Sequence, residues 1–130
     1  MSQGLLLFAH GARDPDWARP FEAVAARLAR QRPGLAMRLA YLEFMSPSLE
    51  EAAHGLAAEG CDTIHIVPMF LGTGGHVRRD IPPLLASLES QYGDAVQWLL
   101  HPALGDQERI IQAMAEASLA WLDGPAEEHP

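Results

Sequence analysis

Residues 63–78 read TIHIVPMFLGTGGHVR. The first six, rich in β-branched side chains, predict a strand over Thr63–Pro68. A glycine-bearing loop from Met69 to Gly75 follows, and helical spacing then runs from about Arg78 to Tyr92. An apolar strand, a loop and an amphipathic helix make the repeating unit of a parallel sheet covered on both faces. The unit recurs on either side. Upstream, Gly4 to Ala9 (GLLLFA) predicts a first strand. Phe21, Val24, Ala25 and Leu28 then repeat at helical spacing until Pro33-Gly34 stops them. Met37 to Glu43 predicts a second strand. Ser46-Pro47-Ser48 opens a second helix, with Ser46 or Ser48 as its cap, acidic Glu50 and Glu51 in its first turn and Gly60 at its end. Downstream, Val96 to Leu100 predicts a fourth strand and about Asp106 to Leu122 a fourth helix. The expected fold is α/β: a single domain over residues 1–123, with an open parallel four-stranded sheet in a three-layer α/β/α arrangement. Residues 124–130 are expected to form a frayed tail.

Composition narrows the chemistry. The chain has 130 residues, 48% of them hydrophobic and 20% charged, which is a globular composition of one-domain size. Acidic residues outnumber basic ones 17 to 9, and all nine basic residues are arginine. Without an ammonium group there is no Walker-type phosphate loop, no Schiff-base lysine and no kinase lysine. The acidic balance excludes nucleic acid as a general partner. Cys61 is the only cysteine, so the chain offers no internal disulfide and no cysteine-held cluster. No apolar run reaches bilayer length and none has the basic flank of a signal peptide, so the expectation is a cytoplasmic protein with no membrane partner.

In an open parallel sheet, ligands bind beyond the carboxyl ends of the strands. His10 follows the first strand, Glu43 ends the second, His76 follows the third and His101 the fourth. His10 to Glu43 is 33 residues and Glu43 to His76 is again 33, one βα period each time. Equal spacing places equivalent points of successive units side by side. Two imidazoles and a carboxylate there suit a divalent ion such as Co, Ni, Fe or Zn, with coordination positions left open. Each residue also has an ordinary reading: a loop histidine bonding the backbone, or a solvated carboxylate. His65, inside a strand, is expected to pack; His54 to lie on a helix surface; His101 to be either a rim contact or structural; His129 to belong to the tail. Gly72, Gly74 and Gly75 allow a ligand close to main-chain amides. Arg13, Arg78 and Arg79 are the cations near this edge.

The strings AHGARDP, LEFMSPSL and PMFLGTGGHVRRDIP together resemble the class II tetrapyrrole chelatases, in particular the short sirohydrochlorin cobaltochelatases of the CbiX type. The resemblance runs from Leu5 to about Gly105. It implies a chelatase-like variant of the flavodoxin-like fold and a lyase that inserts Co²⁺ into sirohydrochlorin for cobalamin; relatives insert Fe²⁺ for siroheme or Ni²⁺. On that resemblance His10 is similar to the histidine that binds metal and accepts a pyrrole proton, and His76 to the second metal histidine. Glu43 matches the acidic residue at the substrate face. Phe70, Leu71, Gly72, Thr73, Gly74 and Gly75 resemble the loop that cradles the substrate, with Arg13 and Arg78 as candidates for its carboxylates. Where the family commonly has HGSR this chain has HGAR, so a hydroxyl at Ala12 is lost. No permanently bound cofactor is expected; the metal is a substrate. Many class II chelatases are about twice this length with two such halves, which implies a homodimer here. Two rivals stay open: a non-catalytic metal or tetrapyrrole carrier, and a nucleotide-binding module built on the GTGG loop.

Overall fold

The computed structural model describes residues 2–72 and 74–124, apart from the side-chain surroundings of residues 75–77. Strands β1 (Gln3–Ala9), β2 (Ala36–Tyr41), β3 (Thr63–Pro68) and β4 (Gln97–Leu100) alternate with helices α1 (Arg19–Gln31), α2 (Leu49–Ala58), α3 (Gly75–Tyr92) and α4 (Glu108–Asp123). All strand pairs are parallel, in the order β2-β1-β3-β4. The expected four-unit α/β sheet is therefore present. Its tail lies, beyond Gly124, outside the described residues.

Alternation along the strands sends side chains to two different layers. Leu6 and Phe8 of β1, Ile64 and Ile66 of β3 and Trp98 of β4 face α2 and α3, where Leu49, Ala53, Leu56 and Leu88 complete the larger core. Leu6, Phe8, Leu56, Ile64, Ile66 and Leu88 are fully buried, each stabilising the fold by about 1.5–3 kcal/mol. On the other face Ala9 and Tyr41 pack with Trp17, Ala18 and Phe21 beneath α1, Trp17 and Phe21 with ring centroids 4.6 Å apart.

The ends of the elements follow local chemistry. A 3-10 turn, Pro15–Ala18, leads into α1; Asp14 accepts the Asp16 N–H, and Pro15 and Pro20 stand where helix starts leave amides without carbonyl partners. Ser48 caps α2 in a reciprocal box with Glu51. Several boundaries shift by one to three residues from expectation, and two of the shifts bear on the site. β2 stops at Tyr41, so Glu43 stands in the loop after the strand. α3 starts at Gly75, three residues before Arg78, because a helix start tolerates glycine where its amides need no intrahelical acceptor.

Candidate functional site

The strand order reverses between β1 and β3, and at such a switch point the two outgoing loops part to leave a crevice. Past the strand ends the backbone ladder of β1 continues in both directions. Leu42 N–H donates to the Ala9 carbonyl, Glu43 N–H to the His10 carbonyl, and Met69 N–H to the Phe8 carbonyl. His10 and Glu43 are thus neighbours because their main chains are bonded, which is the physical content of the 33-residue spacing. Gly11 makes the approach possible. Its φ is +93°, and a Cβ there would sit 1.9 Å from the Glu43 carbonyl oxygen. The chain then turns sharply at Phe44, a non-glycine residue with φ +68°.

The two side chains meet. His10 Nε2 lies 3.4 Å from Glu43 Oε2, and each side chain is 38% exposed, enough for a solute to reach both. His10 Nδ1 lies 3.1 Å from the Gly11 carbonyl, which can only accept. That contact assigns the proton to Nδ1 and turns the Nε2 lone pair toward the carboxylate. A neutral imidazole and a carboxylate facing each other present two acceptors; a proton or a metal cation between them resolves the arrangement.

Around this pair the rim is mixed. Arg13 lies over the exposed Phe44 ring, its guanidinium carbon 4.8 Å from the ring centroid. Leu71, Gly72 and Gly74 are exposed on the loop after β3, whereas the Phe70 ring is buried edge-on against Phe8, so Phe70 offers the loop its backbone and not its ring. The Phe70 carbonyl accepts the Gly105 N–H, and a Cβ on Gly105 would fall 1.7 Å from the Leu71 oxygen. The loop after β4 is therefore seated on the loop after β3. Arg78 is exposed in the first turns of α3 and, with His101 and Asp106, lines a cavity of about 250 Å³; Arg79 is exposed beside it. Gly74, at the cap position of α3, supplies no side-chain cap, and a helix N-terminus favours negative charge.

His76 stands in the first turn of α3, but its side chain lies outside the described residues, and Thr73 lies outside them entirely. Among the described residues no three metal-ligating side chains converge; the described pair is His10 with Glu43. His101 does not join them. His65 Nδ1 is 2.8 Å from His101 Nε2, with the two rings within 8° of parallel, and His65 Nε2 donates to Gln3 Oε1 at 3.0 Å. His54 is exposed and bonds the Tyr92 hydroxyl. Sequence reasoning passed over Phe44 and Gly105. Phe44's positive φ leaves no trace in residue type, and Gly105 in PALGDQ reads as an ordinary turn glycine.

A family model described as CbiX matches residues 4–119. The chain belongs to the CbiX family. A sirohydrochlorin cobaltochelatase of Saccharolobus solfataricus is 40% identical over 118 residues, covering 87% of this chain and 91% of its own length. One from Sulfurisphaera tokodaii is 34% identical over 113 residues, covering 87% and 88%. Among solved structures, a CbiX protein from Marinobacter aquaeolei superposes with a TM-score of 0.80 at 28% identity, over 93% of this chain and 98% of that one. Bacillus subtilis SirB, solved with Fe3+, shares the fold at TM-score 0.79 and 22% identity; the match takes in 96% of this CbiX chain but 49% of SirB.

Proposed function

We propose that this CbiX-family protein is a sirohydrochlorin cobaltochelatase, a lyase that inserts Co²⁺ into the macrocycle for cobalamin biosynthesis. The observation that carries the reading is the His10–Glu43 pair at the switch point of a chain up to 40% identical to sirohydrochlorin cobaltochelatases. Metallation exchanges one divalent ion for two pyrrole N–H protons. The His10 Nε2 lone pair suits either half of that exchange: it can hold the incoming ion, or accept one of the two protons as the ion leaves for the ring nitrogens, the other passing to solvent water. Glu43 offsets the positive charge in both states and orients the imidazole. His76, one βα period further on, is the second metal ligand of this reading.

An octacarboxylate substrate needs cations on an acidic protein, and arginine is the only basic side chain in the sequence. Arg13, braced on Phe44, and Arg78, beside the uncapped start of α3, supply charge at the rim. Leu71, Gly72 and Gly74 give an exposed, low-profile floor for a flat ring, and Thr73 and Gly75 are further substrate contacts of this reading. The metal is a substrate and no resident cofactor is needed. One such domain covers part of a tetrapyrrole, and SirB is about twice its length, so we take the working form to be a homodimer in the cytoplasm. Among the described residues no helix is long and apolar enough to cross a membrane.

The assay is the visible-spectrum change when sirohydrochlorin and Co²⁺ are mixed with the protein, run beside Fe²⁺ and Ni²⁺. His10→Ala is expected to lower the rate by about 10²–10⁴-fold, as removal of a proton acceptor does, while the circular dichroism spectrum is kept. A His10→Ala protein at full rate, or a wild-type rate equal to buffer, sinks the enzyme reading; the second result leaves a carrier.

A further inference from the structure

β4 is the shortest of the four strands, four residues at the edge of the sheet, and the loop it leads into is the one seated against Phe70 and Leu71. Register pairs hold it to β3 only as far as Leu100. One more backbone bond follows, from the His101 N–H to the Ile66 carbonyl at 3.0 Å, and the chain then leaves the sheet. A pair of half-buried side chains marks that exit. His65 stands opposite Leu99, so His101 is its diagonal neighbour on the same face, a separation that long side chains bridge. His65 Nδ1 and His101 Nε2 are 2.8 Å apart, with the rings within 8° of parallel and their centres 5.1 Å apart. At that nitrogen separation, ring centres stand so far apart only when the line joining the nitrogens runs through both of them. The imidazoles are therefore coplanar and end to end, the geometry of a straight N–H···N hydrogen bond. A metal ion between nitrogens in line would need about 4 Å, so the pair is not half a metal site. The protons follow in order. Gln3 Oε1 can only accept and lies 3.0 Å from His65 Nε2, which assigns a proton to that nitrogen and a lone pair to Nδ1. His101 Nε2 is then the donor between the rings. Gln3, His65 and His101 link the start of β1, the middle of β3 and the exit of β4.

We propose that His101, held by His65, is a positioning residue for the loop that carries the macrocycle. The inference deepens the chelatase reading of Phe70–Gly75 as the substrate loop and rests on it. From His101 to Gly105 the chain has little freedom. Pro102 fixes its own φ, Ala103 is buried, and Leu104–Asp106 forms a 3-10 turn. The Gly105 N–H then donates to the Phe70 carbonyl at 2.9 Å. Gly105 lies so close to Leu71 that a Cβ would fall 1.7 Å from the Leu71 oxygen, so the two backbones move together. A change of direction at His101 is therefore delivered to Leu71 and Gly72, the exposed loop residues assigned above to the flat ring. Two apolar side chains at positions 65 and 101 would pack without preferring one direction, whereas a straight hydrogen bond weakens steeply when bent. That directionality suits a short edge strand whose exit sets the seat of a binding loop.

The test removes one end of the hydrogen bond at a time. His101→Leu and His65→Leu are each expected to raise the KM for sirohydrochlorin about five- to tenfold, with kcat and the KM for Co²⁺ unchanged, because binding is loosened and no reacting group is lost. The double variant is expected to be no worse than either alone, since both remove the same bond. His101→Gln puts an amide N–H where the Nε2–H stood and is expected to restore the wild-type KM. In ¹⁵N-labelled protein the Leu71 and Gly72 amide signals are expected to move in His101→Leu and to return in His101→Gln. His101→Leu at the wild-type KM with those signals unmoved overturns the inference, as does a glutamine variant that behaves like the leucine one. Effects that multiply in the double variant overturn the shared bond. A fall in kcat with KM kept places His101 in the chemistry and overturns positioning. If His101→Leu loses the native circular dichroism spectrum, His101→Gln is compared with His101→Asn, whose shorter amide falls short of His65 Nδ1; equal KM values and equal signals then overturn the inference. A wild type that does not metallate while the amide signals behave as expected counts against the chelatase reading alone.

Discussion

Helix α2 has ten residues and α4 sixteen, yet their attachment to the domain runs the other way. α2 buries Leu49, Ala52, Ala53 and Leu56 in the main core. Its first turn is closed by the Ser48 hydroxyl, which accepts the Glu51 N–H at 3.1 Å, and by Glu51, which accepts the Ser48 N–H at 2.8 Å. α4, preceded by Gln107, has no side-chain cap, and none of its residues is fully buried. Both sequences show an apolar stripe at helical spacing. Such periodicity announces that a helix has a face to cover, but it does not say whether the cover lies in the same chain. For α2 the cover is β1, β2 and α3 of the same chain; the main neighbour of α4 is the short turn Leu104–Asp106 that precedes it.

The contrast can be broken most directly by equal truncations. Leu56→Ala removes a fully buried side chain and is expected to cost about 2–5 kcal/mol in urea unfolding. Leu122→Ala, at a position 81% exposed, is expected to stay within about 0.5 kcal/mol when measured at a concentration where the chain is monomeric. Comparable losses at the two positions in dilute protein would mean that α4 is covered within its own chain. A smaller effect sharpens the same comparison at the helix starts. Ser48→Ala is expected to cost about 1 kcal/mol, because the Glu51 N–H of α2 loses the hydroxyl it donates to. Gln107→Asp supplies α4 with the cap it lacks and is expected to raise helix content slightly. A neutral Ser48→Ala would show that core packing alone holds α2.

These helices also mark how far the sequence could be read. Strand β3 came out at Thr63–Pro68 and β1 within one residue, since near-continuous apolar runs signal strands of a covered parallel sheet. The His10–Glu43 contact was legible for a different reason: one βα period carries the chain back to the adjacent strand end, where Glu43 N–H reaches the His10 carbonyl. What stayed hidden depends on geometry that residue types do not encode. The turn at Phe44 puts a φ of +68° on an aromatic residue and presents the ring to Arg13. His65 and His101 come together only because β3 and β4 pair with His65 opposite Leu99, two residues before His101.

The smallest expected effect lies on the α1 side of the sheet. Tyr41 ends β2 beneath α1, with the Trp17 ring 6.5 Å away, and its phenol is pushed above the usual value of 10.0, first by burial and then by the nearby Glu22 carboxylate. The sign of the linkage follows from which state holds the proton more tightly. Below pH 10 the phenol is protonated folded and unfolded alike, and its packing contributes in full. Above that, the unfolded chain gives up the proton first, so stability falls as pH climbs toward the raised folded value. Tyr41→Phe removes the titrating group while keeping the ring, and is expected to flatten the alkaline limb of a stability-against-pH curve above pH 10. Glu22→Gln, which removes the lesser cause, is expected to shift that limb less. If both variants follow the wild-type limb, α1 does not seal Tyr41 from water, and burial in the smaller core is not what raises its phenol.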